Sequence, residues 1–600
     1  MAKKKENRLS YLQLPLPEGV KYSKMTKRSW SGLNKRQTID TGALSMESNI
    51  STLEAPYLVP SQSRLPYKTG YDCPIGMFGF DDFLVVIYRD TGEIDGESVK
   101  QIKVDYISHE KGIFTGILKT EDATEDDDYP RSVVQFNVYD TPTDPVTGQY
   151  IKKLLFFPDK KSMFMNILVA SDNPEEWDTD SLAAAAKDVM YCYRGDNGKV
   201  YYTVATDVDG NRYVKQSGGA GYFILDSMDV LVKEYTNTKS PYLPPDTASH
   251  NYYYRNAHNN DVYRWVDDES DSENSGWKVS VPPAFPPIKY AAVHLSRLFG
   301  VDDDRVYASG YNDYTNWNLD TVGEYNESNA WCSPAQSNTK AGGAFTGITV
   351  FQSHIVCFKR DFMHELYNTK NPFRIQDIYA EGAIDHRTIQ DVDGRLIFVS
   401  DDDVKIYTGS NPRIIGYYLN MKRFVYAVSG TDGRNYYLYC EDADGNRHLF
   451  VYDTLIEQWS EQEISYTVLS FAHNKNGVYM LTSNDVVYKM DTEEYMHEWS
   501  FETDLITAET IDIKHIKKIQ LFADIAEDAK VDVYMLYGDE KFDAATSHLV
   551  YSSSGYGQKV IRVKPRKTAN YGIKLHFEGY GYVKLYEMEL SIEAGGDLYV

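Results

Sequence analysis

The chain has 600 residues and a formal charge of −26, with 62 Lys and Arg against 88 Asp and Glu. Its apolar fraction of 42% is ample for packed cores, and its length exceeds one core, so roughly two to four domains are expected. No apolar run approaches the roughly 18 residues of a membrane span, and the N-terminus has no apolar signal-peptide core. The sequence therefore predicts a soluble protein made in a cytoplasm, without a membrane span.

Five scattered cysteines argue against both a disulfide framework and a zinc site. They are odd in number, far apart and without CxxC spacing. Their pattern is typical of reduced core residues, and no cofactor is predicted. They are Cys73, Cys192, Cys332, Cys357 and Cys440.

Residues 1–41 are predicted to form an extended basic arm that is ordered only against a partner. The segment is polar, has no sustained period and, up to residue 36, carries ten Lys and Arg against two acids. The remaining 564 residues carry 52 basic and 86 acidic side chains. Nucleic acid and the acidic surface of a neighbouring subunit are both possible partners, and complementary charge favours the protein. The predicted docking residues are Lys3, Lys4, Lys5, Arg8, Lys21, Lys24, Lys27, Arg28, Lys35 and Arg36.

Residues 42–285 are expected to be a first β-rich region, which contains propeller blades and inserted β elements. Apolar runs at 83–88 and 133–138 are its clearest strands, and residues 200–214 form a hairpin pattern around an Asp-Gly turn. The proline-rich run 282–287 indicates a rigid linker and a boundary.

Residues 286–495 are expected to be β-propeller blades. Apolar runs of four or five residues, bounded by Gly, Asp and Ser, predict short strands buried on both faces. One stretch resembles a kelch-type blade: it has a strand, an Asp-Gly turn, a second strand that ends in Tyr452-Asp453, and then Trp459. Within this region, residues 294–299 suggest one helical turn, whereas the best candidate for a short helix in the whole chain is 181–190.

Residues 496–600 have longer alternating strands separated by polar turns. At least five strands in about a hundred residues predict a separate, jelly-roll-like antiparallel β-sandwich. The predicted fold class is thus all-β: an N-terminal arm, a propeller-like meander and a C-terminal sandwich.

One opening motif resembles virion proteins of tailed bacteriophages. It comprises Gly32-Leu33-Asn34, Gly42-Ala43-Leu44, Asn49-Ile50-Ser51 and Pro56-Tyr57-Leu58-Val59-Pro60, with Arg64 just after. It is similar to the opening of the propeller-bearing tail nozzles (tubular tail protein B) and DNA-stabilisation hub proteins of short-tailed phages, although Ser61 stands where the final Arg is expected. The runs 305–310 and 382–412 add to the likeness. The resemblance implies a structural virion protein and carries over no catalytic residue.

No catalytic or metal site is predicted from the residues themselves. Three Asp-Gly segments, 207–211, 391–394 and 442–446, lack the later acid of a calcium loop, so hairpin turns are favoured. His364-Glu365 lacks the second His of a zinc protease motif, and no sialidase box or nucleophile elbow occurs. Trp317 could bind a sugar ring, but inter-sheet packing is the more common role of a strand aromatic.

We therefore expect a non-enzymatic phage tail or neck protein, a nozzle or hub ring in the DNA ejection conduit. The expected partners are further copies in a ring and neighbouring tail, adaptor or portal proteins. Genomic DNA would pass without specific binding, because an acidic lumen repels it. The alternative is a tail-tip adhesin that binds host cell-surface polysaccharide, with a propeller glycosidase ranked below it.

Overall fold

A computed structural model shows a chain built almost entirely from antiparallel β-strands, and it confirms the all-β prediction for the residues it describes. These are 22–27, 30–36, 43–52, 54–80, 83–94, 97–109, 112–119, 130–139, 150–158, 163–169, 189–194, 200–206, 212–216, 222–225, 231–235, 253–255, 262–266, 276–279, 286, 288–314, 317, 329–333, 342–368, 370–378, 381–490, 492, 494–495, 498–507, 514–554, 557–563 and 571–594. Within them the only helices are two short 3₁₀ segments, His386–Thr388 and Gly416–Leu419. No helix of this described part is long and apolar enough to cross a membrane.

The chain divides into two compact units. Unit 1 comprises Met1–Gly70 and Arg387–Val600, and unit 2 comprises Tyr71–His386. These limits differ from the expected boundaries at residues 285 and 495, because the N-terminal strands belong with the C-terminal half of the chain. Those strands are β1 (Tyr22–Lys27), β2 (Leu44–Ser48), β3 (Ile50–Ser51), β4 (Val59–Pro60) and β5 (Leu65–Thr69).

Unit 2 is a series of antiparallel sheets made from strands that follow one another along the chain. Their orders are β6-β7-β8-β9, β10 through β17, β18-β19-β20, β21-β22-β23-β24 and β25-β26-β27-β28. The strands are β6 (Pro74–Phe80), β7 (Phe83–Ile94), β8 (Glu97–Ser108), β9 (Gly112–Lys119), β10 (Pro130–Tyr139), β11 (Tyr150–Pro158), β12 (Met163–Val169), β13 (Val189–Arg194), β14 (Val200–Thr206), β15 (Arg212–Gln216), β16 (Tyr222–Leu225), β17 (Leu231–Tyr235), β18 (Tyr253–Arg255), β19 (Val262–Val266), β20 (Gly276–Val279), β21 (Tyr290–His294), β22 (Arg297–Val301), β23 (Val306–Ala308), β24 (Trp331–Cys332), β25 (Gly347–Phe351), β26 (His354–Phe358), β27 (Met363–Tyr367) and β28 (Arg374–Ile378).

Neighbouring sheets of unit 2 share apolar cores. Strand β11 alternates its buried residues, so that Phe156 packs with the β6–β9 sheet and Phe157 packs with the β21–β24 sheet. The β21–β24 sheet in turn shares a core with the β25–β28 sheet through Phe299 and Phe373. Strand β11 and the β21–β24 sheet therefore each contribute to apolar cores on both of their faces, as the two-sided burial of the apolar runs predicts.

The predicted helical turn at residues 294–299 is wrong. Strands β21 and β22 form a hairpin there, with Tyr290 opposite Val301. Leu295 and Ser296 form its tip, and both have left-handed backbone angles, with φ of 48° and 56°. Strand pairing and burial of β22 override the local helical pattern. The short helix expected at 181–190 lies outside the described residues apart from 189–190, which begin β13.

The remaining strands of unit 1 begin with two sheets of sequential strands, β29-β30-β31-β32 and β33-β34-β35-β36. In a third sheet, β5 from the N-terminal region completes the order β37-β38-β39-β5. The strands are β29 (Gln390–Val392), β30 (Arg395–Val399), β31 (Val404–Tyr407), β32 (Arg413–Ile414), β33 (Tyr426–Thr431), β34 (Asn435–Glu441), β35 (Arg447–Asp453), β36 (Gln458–Gln462), β37 (Val468–Asn474), β38 (Gly477–Thr482) and β39 (Val486–Lys489).

Two of the three Asp-Gly segments are hairpin turns, as predicted. Asp393 and Gly394, with φ of 52° and 67°, join β29 to β30. The Asp442 carboxylate accepts hydrogen bonds from the backbone N–H groups of Asp444 and Asn446 at 2.9 and 2.8 Å, between β34 and β35. The third segment, 207–211, lies outside the described residues.

Trp459, the last residue of the kelch-like pattern, packs between two successive sheets of unit 1. The side chain is buried, packs on Phe450 and Tyr452, and donates its indole N–H to the Ile415 carbonyl at 2.8 Å. Ile415 follows the β29–β32 sheet, so one side chain joins two successive sheets of unit 1.

The C-terminal strands form two antiparallel sheets that share one core, and we refer to them as the C-terminal sheet pair. Their orders are β1-β46-β41-β44 and β2-β40-β45-β42-β43. Trp30, Phe501, Leu521 and Phe577 are among the buried residues between them. The strands are β40 (Glu498–Thr503), β41 (Lys514–Ile525), β42 (Lys530–Tyr537), β43 (His548–Ser554), β44 (Gly557–Val563), β45 (Ile573–Tyr580) and β46 (Val583–Ala594).

Candidate functional site: an interaction surface around the N-terminal segment

The predicted arm is partly built into the body of its own chain. Strand β1 pairs along its whole length with β46, from Tyr22 opposite Glu593 to Lys27 opposite Met588. Residues 30–36 continue across unit 1. The expectation that the arm is ordered only against a partner is therefore wrong for these residues, because β1 provides the outer strand of a sheet and Trp30 fills its core.

Residues 30–34 fit closely against unit 1. Trp30 is 2% exposed and packs edge-on against Phe501, with ring centroids 5.9 Å apart. Leu33 donates its N–H to the Trp459 carbonyl at 2.8 Å. A Cβ added to Gly32 would lie 2.3 Å from that carbonyl oxygen, so only glycine fits there. These contacts explain physically why a glycine and a leucine stand side by side in the motif.

Lys35 is the first predicted docking residue whose side chain the structure describes. Its ammonium lies 2.7 Å from Glu461 and 3.4 Å from His448 Nδ1, above the Phe450 ring at 4.9 Å. His448 also contacts Glu461, at 2.7 Å. Lys35 is thus part of a half-buried charge network within its own chain.

Arg36 reaches the surface of unit 1. Its guanidinium lies 3.1 Å from the centroid of the Tyr417 ring, and its Nε donates to the Tyr417 carbonyl at 2.7 Å. The Asn34 side chain accepts the Arg36 N–H at 3.1 Å. Arg36 is therefore held beside the exposed 3₁₀ segment Gly416–Leu419.

The other eight predicted docking residues lie either in β1 or outside the described residues. Lys24 and Lys27 lie in β1, opposite Ser591 and Met588. The rest lie outside the described residues: Lys3, Lys4, Lys5, Arg8, Lys21 and Arg28.

Arg36 contacts Tyr417, which lies next to Tyr418. Arg413 approaches Glu457, which lines an adjoining cleft. We term the side chains at this place the aromatic–basic patch. It comprises Arg36, Arg413, Ile414, Tyr417, Tyr418 and Leu455. Tyr417 and Tyr418 are 51% and 48% exposed, and Leu455 is 71% exposed. The adjoining cleft, of about 460 Å³, is lined by Leu33, Asn34, Tyr418, Ile456 and Glu457 among others. Sequence reasoning located only Arg36 of this patch, because the rest comes from strands distant in the chain.

A second surface, which we term the acidic cleft, lies on the five-stranded sheet of the C-terminal sheet pair. Its volume is about 420 Å³, and its charged lining residues are Glu463, Glu498, Lys530, Asp532 and Glu578. Asp532 and Glu578 stand directly opposite each other on β42 and β45, and Lys530 pairs with Asp532 at 2.5 Å. One lysine faces four carboxylates, so the cleft carries a negative charge.

A buried carboxyl lies beneath the N-terminal segment. Glu47 on β2 is buried, and its Oε1 accepts the N–H of Glu461 at 2.8 Å. Burial raises the pKa of Glu47 well above its usual range, and the nearby Glu461 charge acts in the same direction. The surroundings of Glu47 therefore favour the protonated, neutral form.

Two histidine–carboxylate pairs are described in unit 2, and they lie on opposite faces of β27. His364 is fully buried, contacts Asp377 at 2.8 Å and lies between Phe345 and Phe362. Glu365 is the next residue of β27, so its side chain points to the other face. It contacts His354 at 3.1 Å. Burial leaves no access for a substrate at His364.

Two further sequence-based hypotheses concern sugar and metal binding. Trp317 is 5% exposed and belongs to the apolar core with Leu298 and Phe136, which matches the packing alternative. Among the described residues, no group of three or more His, Cys, Asp or Glu is placed to hold a metal ion.

Comparisons with known proteins identify no family. No protein-family model and no curated protein matches the chain. Kluyveromyces lactis Hsv2 is 9% identical, over 55% of this chain and 98% of its own, with a TM-score of 0.19. A family 43 arabinoxylan arabinofuranohydrolase from Bacillus subtilis is 10% identical over 87% and 96%, with a TM-score of 0.17. The extracellular domain of a one-component system from B. thetaiotaomicron is 8% identical over 94% and 95%, with a TM-score of 0.21. Scores this low carry no functional argument.

Proposed function

We propose that the chain is a non-enzymatic structural protein of a bacteriophage tail or neck. It is made in the host bacterial cytoplasm and assembles as a ring into the nozzle or hub of the DNA ejection conduit. Its neighbours there are tail, adaptor or portal proteins, and genomic DNA passes through without specific binding.

One observation carries this proposal: described residues of the phage-like opening motif make close backbone contacts and hydrogen bonds within unit 1. Gly32 and Leu33 meet the Trp459 carbonyl. Asn49 donates its side-chain amide to the Glu498 carbonyl at 3.0 Å and accepts the Glu463 N–H at 2.9 Å. Close approach and buried hydrogen bonds restrict which residues fit such positions. The motif residues therefore serve to hold the fold together, and the resemblance to tail proteins concerns the fold.

We further propose that the four-stranded sheets of each unit are propeller blades. In unit 1, β5 from before the sheets completes the sheet of β37–β39. A strand from one end of the chain that completes the last sheet is a means of protecting sheet edges in a propeller.

The charge distribution supports a conduit role. The chain beyond residue 36 has 86 acidic and 52 basic side chains. A polyanion gains no counterion release from such a surface and is repelled by it. An acidic lumen therefore lets DNA slide instead of holding it.

Purified phage particles provide the test. Quantitative mass spectrometry should find the chain in a fixed copy number, and cryo-electron microscopy should place it around the DNA path. The purified chain should not retain duplex DNA at about 0.15 M salt. A position at the outer tip of the particle, with no DNA path through it, would overturn the proposal.

An adhesin that binds cell-surface polysaccharide is the second candidate, and the exposed Tyr417 and Tyr418 favour it. Their rings lie 5.7 Å apart but at 88° to each other, so they do not form a flat platform for successive sugar rings. Loss of host adsorption on Tyr417→Ala/Tyr418→Ala, with particle assembly unchanged, would establish the adhesin in place of the conduit protein.

A further inference from the structure

We propose that the aromatic–basic patch of one copy of this chain docks into the acidic cleft of a second copy. The inference rests on the proposed ring-forming function and names the two surfaces that join neighbouring subunits. Both surfaces belong to unit 1.

The patch has the composition of a protein interface. Tyrosine and arginine are enriched in interface cores and among residues that dominate binding energy. Here Tyr417, Tyr418, Ile414 and Leu455 expose large apolar groups together, next to Arg413, whose side chain is 61% exposed. Isolated exposed apolar residues are ordinary, but a group of four beside a cleft indicates a binding surface.

The patch is also a basic region on an acidic chain. No Asp or Glu occurs between Asp403 and Asp432, whereas Lys405, Arg413, Lys422 and Arg423 do. Arg413 and Arg395 both approach the single Glu457 carboxylate, at 3.6 and 3.7 Å. One carboxylate thus serves two guanidinium groups, and the Asp403 carboxylate interacts with the third, that of Arg36. Three guanidinium groups therefore meet two carboxylates, and positive charge is left to attract an acidic partner.

The acidic cleft provides the complementary shape and charge. It is concave, and its volume of about 420 Å³ lies in the size range of binding pockets. Glu463, Glu498 and Glu578 add negative charge beyond the Lys530–Asp532 pair. Directly opposed carboxylates, such as Asp532 and Glu578, repel each other and are stabilised by an incoming cation.

The patch and the acidic cleft of one copy are too far apart to contact each other. Strand β36 begins beside Glu457 of the patch region and ends beside Glu463 of the acidic cleft. A five-residue strand holds these ends about 17 Å apart. A contact between two different surfaces is heterologous, so it repeats from copy to copy and closes into a ring where the rotation permits.

Charge reversal in the full chain tests this contact. Self-association of Arg413→Glu and of Glu578→Lys is measured by analytical ultracentrifugation at low salt, and melting curves check that each variant folds. Each reversal should weaken association at least about tenfold. Arg374→Glu, at an exposed arginine of unit 2, is the matched control and should associate like the wild type.

The two reversals combined in one chain decide the pairing. Arg413→Glu/Glu578→Lys should recover a substantial part of the wild-type association, because the charges are again opposite. Wild-type association of either single variant, or no recovery in the combined variant, would overturn the contact. So would a monomeric chain that retains duplex DNA or an acidic polysaccharide through Arg413.

The proposed function and the proposed contact can be disproved independently of each other. If the reversals behave as expected but the chain is absent from phage particles, the contact stands and the tail function is wrong. If the chain is present around the DNA path but the variants assemble normally, only the contact is wrong.

Discussion

The C-terminal sheet pair and the four-stranded sheets of unit 1 are both antiparallel, yet they are assembled from the chain in different ways. In the β29–β32 and β33–β36 sheets, each strand pairs with the next one in sequence. In the sheet pair, β46 pairs with β1 and β40 pairs with β2, which come from opposite ends of the chain. Sequential sheets depend on their own turns, whereas the sheet pair depends on the N-terminal segment. The four predictions below test this difference, from the largest expected effect to the smallest.

Removal of residues 1–36 should destabilise the sheet pair most. It deletes β1 and two buried apolar side chains, Trp30 and Leu33, at an expected cost of about 5 kcal/mol or more. Hydrogen exchange read by mass spectrometry should increase in β46 and β40 but not in β21–β28. Removal of residues 1–21 keeps every described residue and should leave exchange unchanged. Equal effects of the two truncations would contradict the dependence on residues 22–36.

Trp30→Ala should reproduce much of that loss with one side chain. The ring is buried in the core of the sheet pair, so its removal leaves a cavity that costs about 3–5 kcal/mol. Denaturant unfolding followed by exchange in β40 measures the effect. Trp30→Phe keeps an aromatic ring and should lose clearly less. If both variants unfold like the wild type, the segment does not stabilise the sheet pair.

Gly32→Ala should cost about 1–3 kcal/mol, because its Cβ would lie 2.3 Å from the Trp459 carbonyl oxygen. The melting temperature and the exchange of the Leu33 amide measure the change. Gly76→Ala is the matched control, since its nearest new contact, 3.5 Å from the Phe78 ring, is ordinary. A neutral Gly32→Ala would show that the segment moves away without loss of stability.

Glu47→Gln should remove a pH dependence of stability. The pKa of Glu47 is raised in the folded state, so its stabilising contribution is complete below the unfolded-state pKa and is lost as pH rises through the folded-state pKa. Gln keeps the oxygen that accepts the Glu461 N–H and cannot ionise. The variant should match the wild type in stability at about pH 4 and be more stable than the wild type above the raised pKa.

Melting curves across pH check that expectation, and Glu527→Gln at an exposed position is the control. A wild-type advantage over Glu47→Gln at high pH would mean that the ionised Glu47 is stabilised by Lys35 instead.

Strand positions in the sequential sheets could be predicted closely from the sequence. Two of the short runs in 286–495, at 354–358 and 404–407, coincide with β26 and β31, because apolar runs between Asp, Gly and Ser turns specify both ends of a short strand. The hairpins at Asp393-Gly394 and Asp442 followed from the turn chemistry alone.

The candidate surfaces could be predicted far less well. Arg36 was identified from its charge, but its partner Tyr417 is distant in sequence, and no period or motif relates the two. Lys35 was expected to bind a partner molecule, yet it forms an ion pair with Glu461 in the same chain. The charge of a side chain can be read from a sequence, whereas its nearest opposite charge depends on the fold.

The sequence by itself determined the all-β class, the short strands, their turns and the acidic balance, because these depend on residue type and on neighbours a few positions away. Pairing between distant segments, which is visible only in the fold, adds β1 and Trp30 to the C-terminal sheet pair and adds β5 to the β37–β39 sheet. Only the tertiary structure decided that arginines and tyrosines meet in one patch while four carboxylates meet in another. These arrangements depend on pairing between distant segments, and a local sequence pattern does not specify which distant strand is the partner or in which register it pairs.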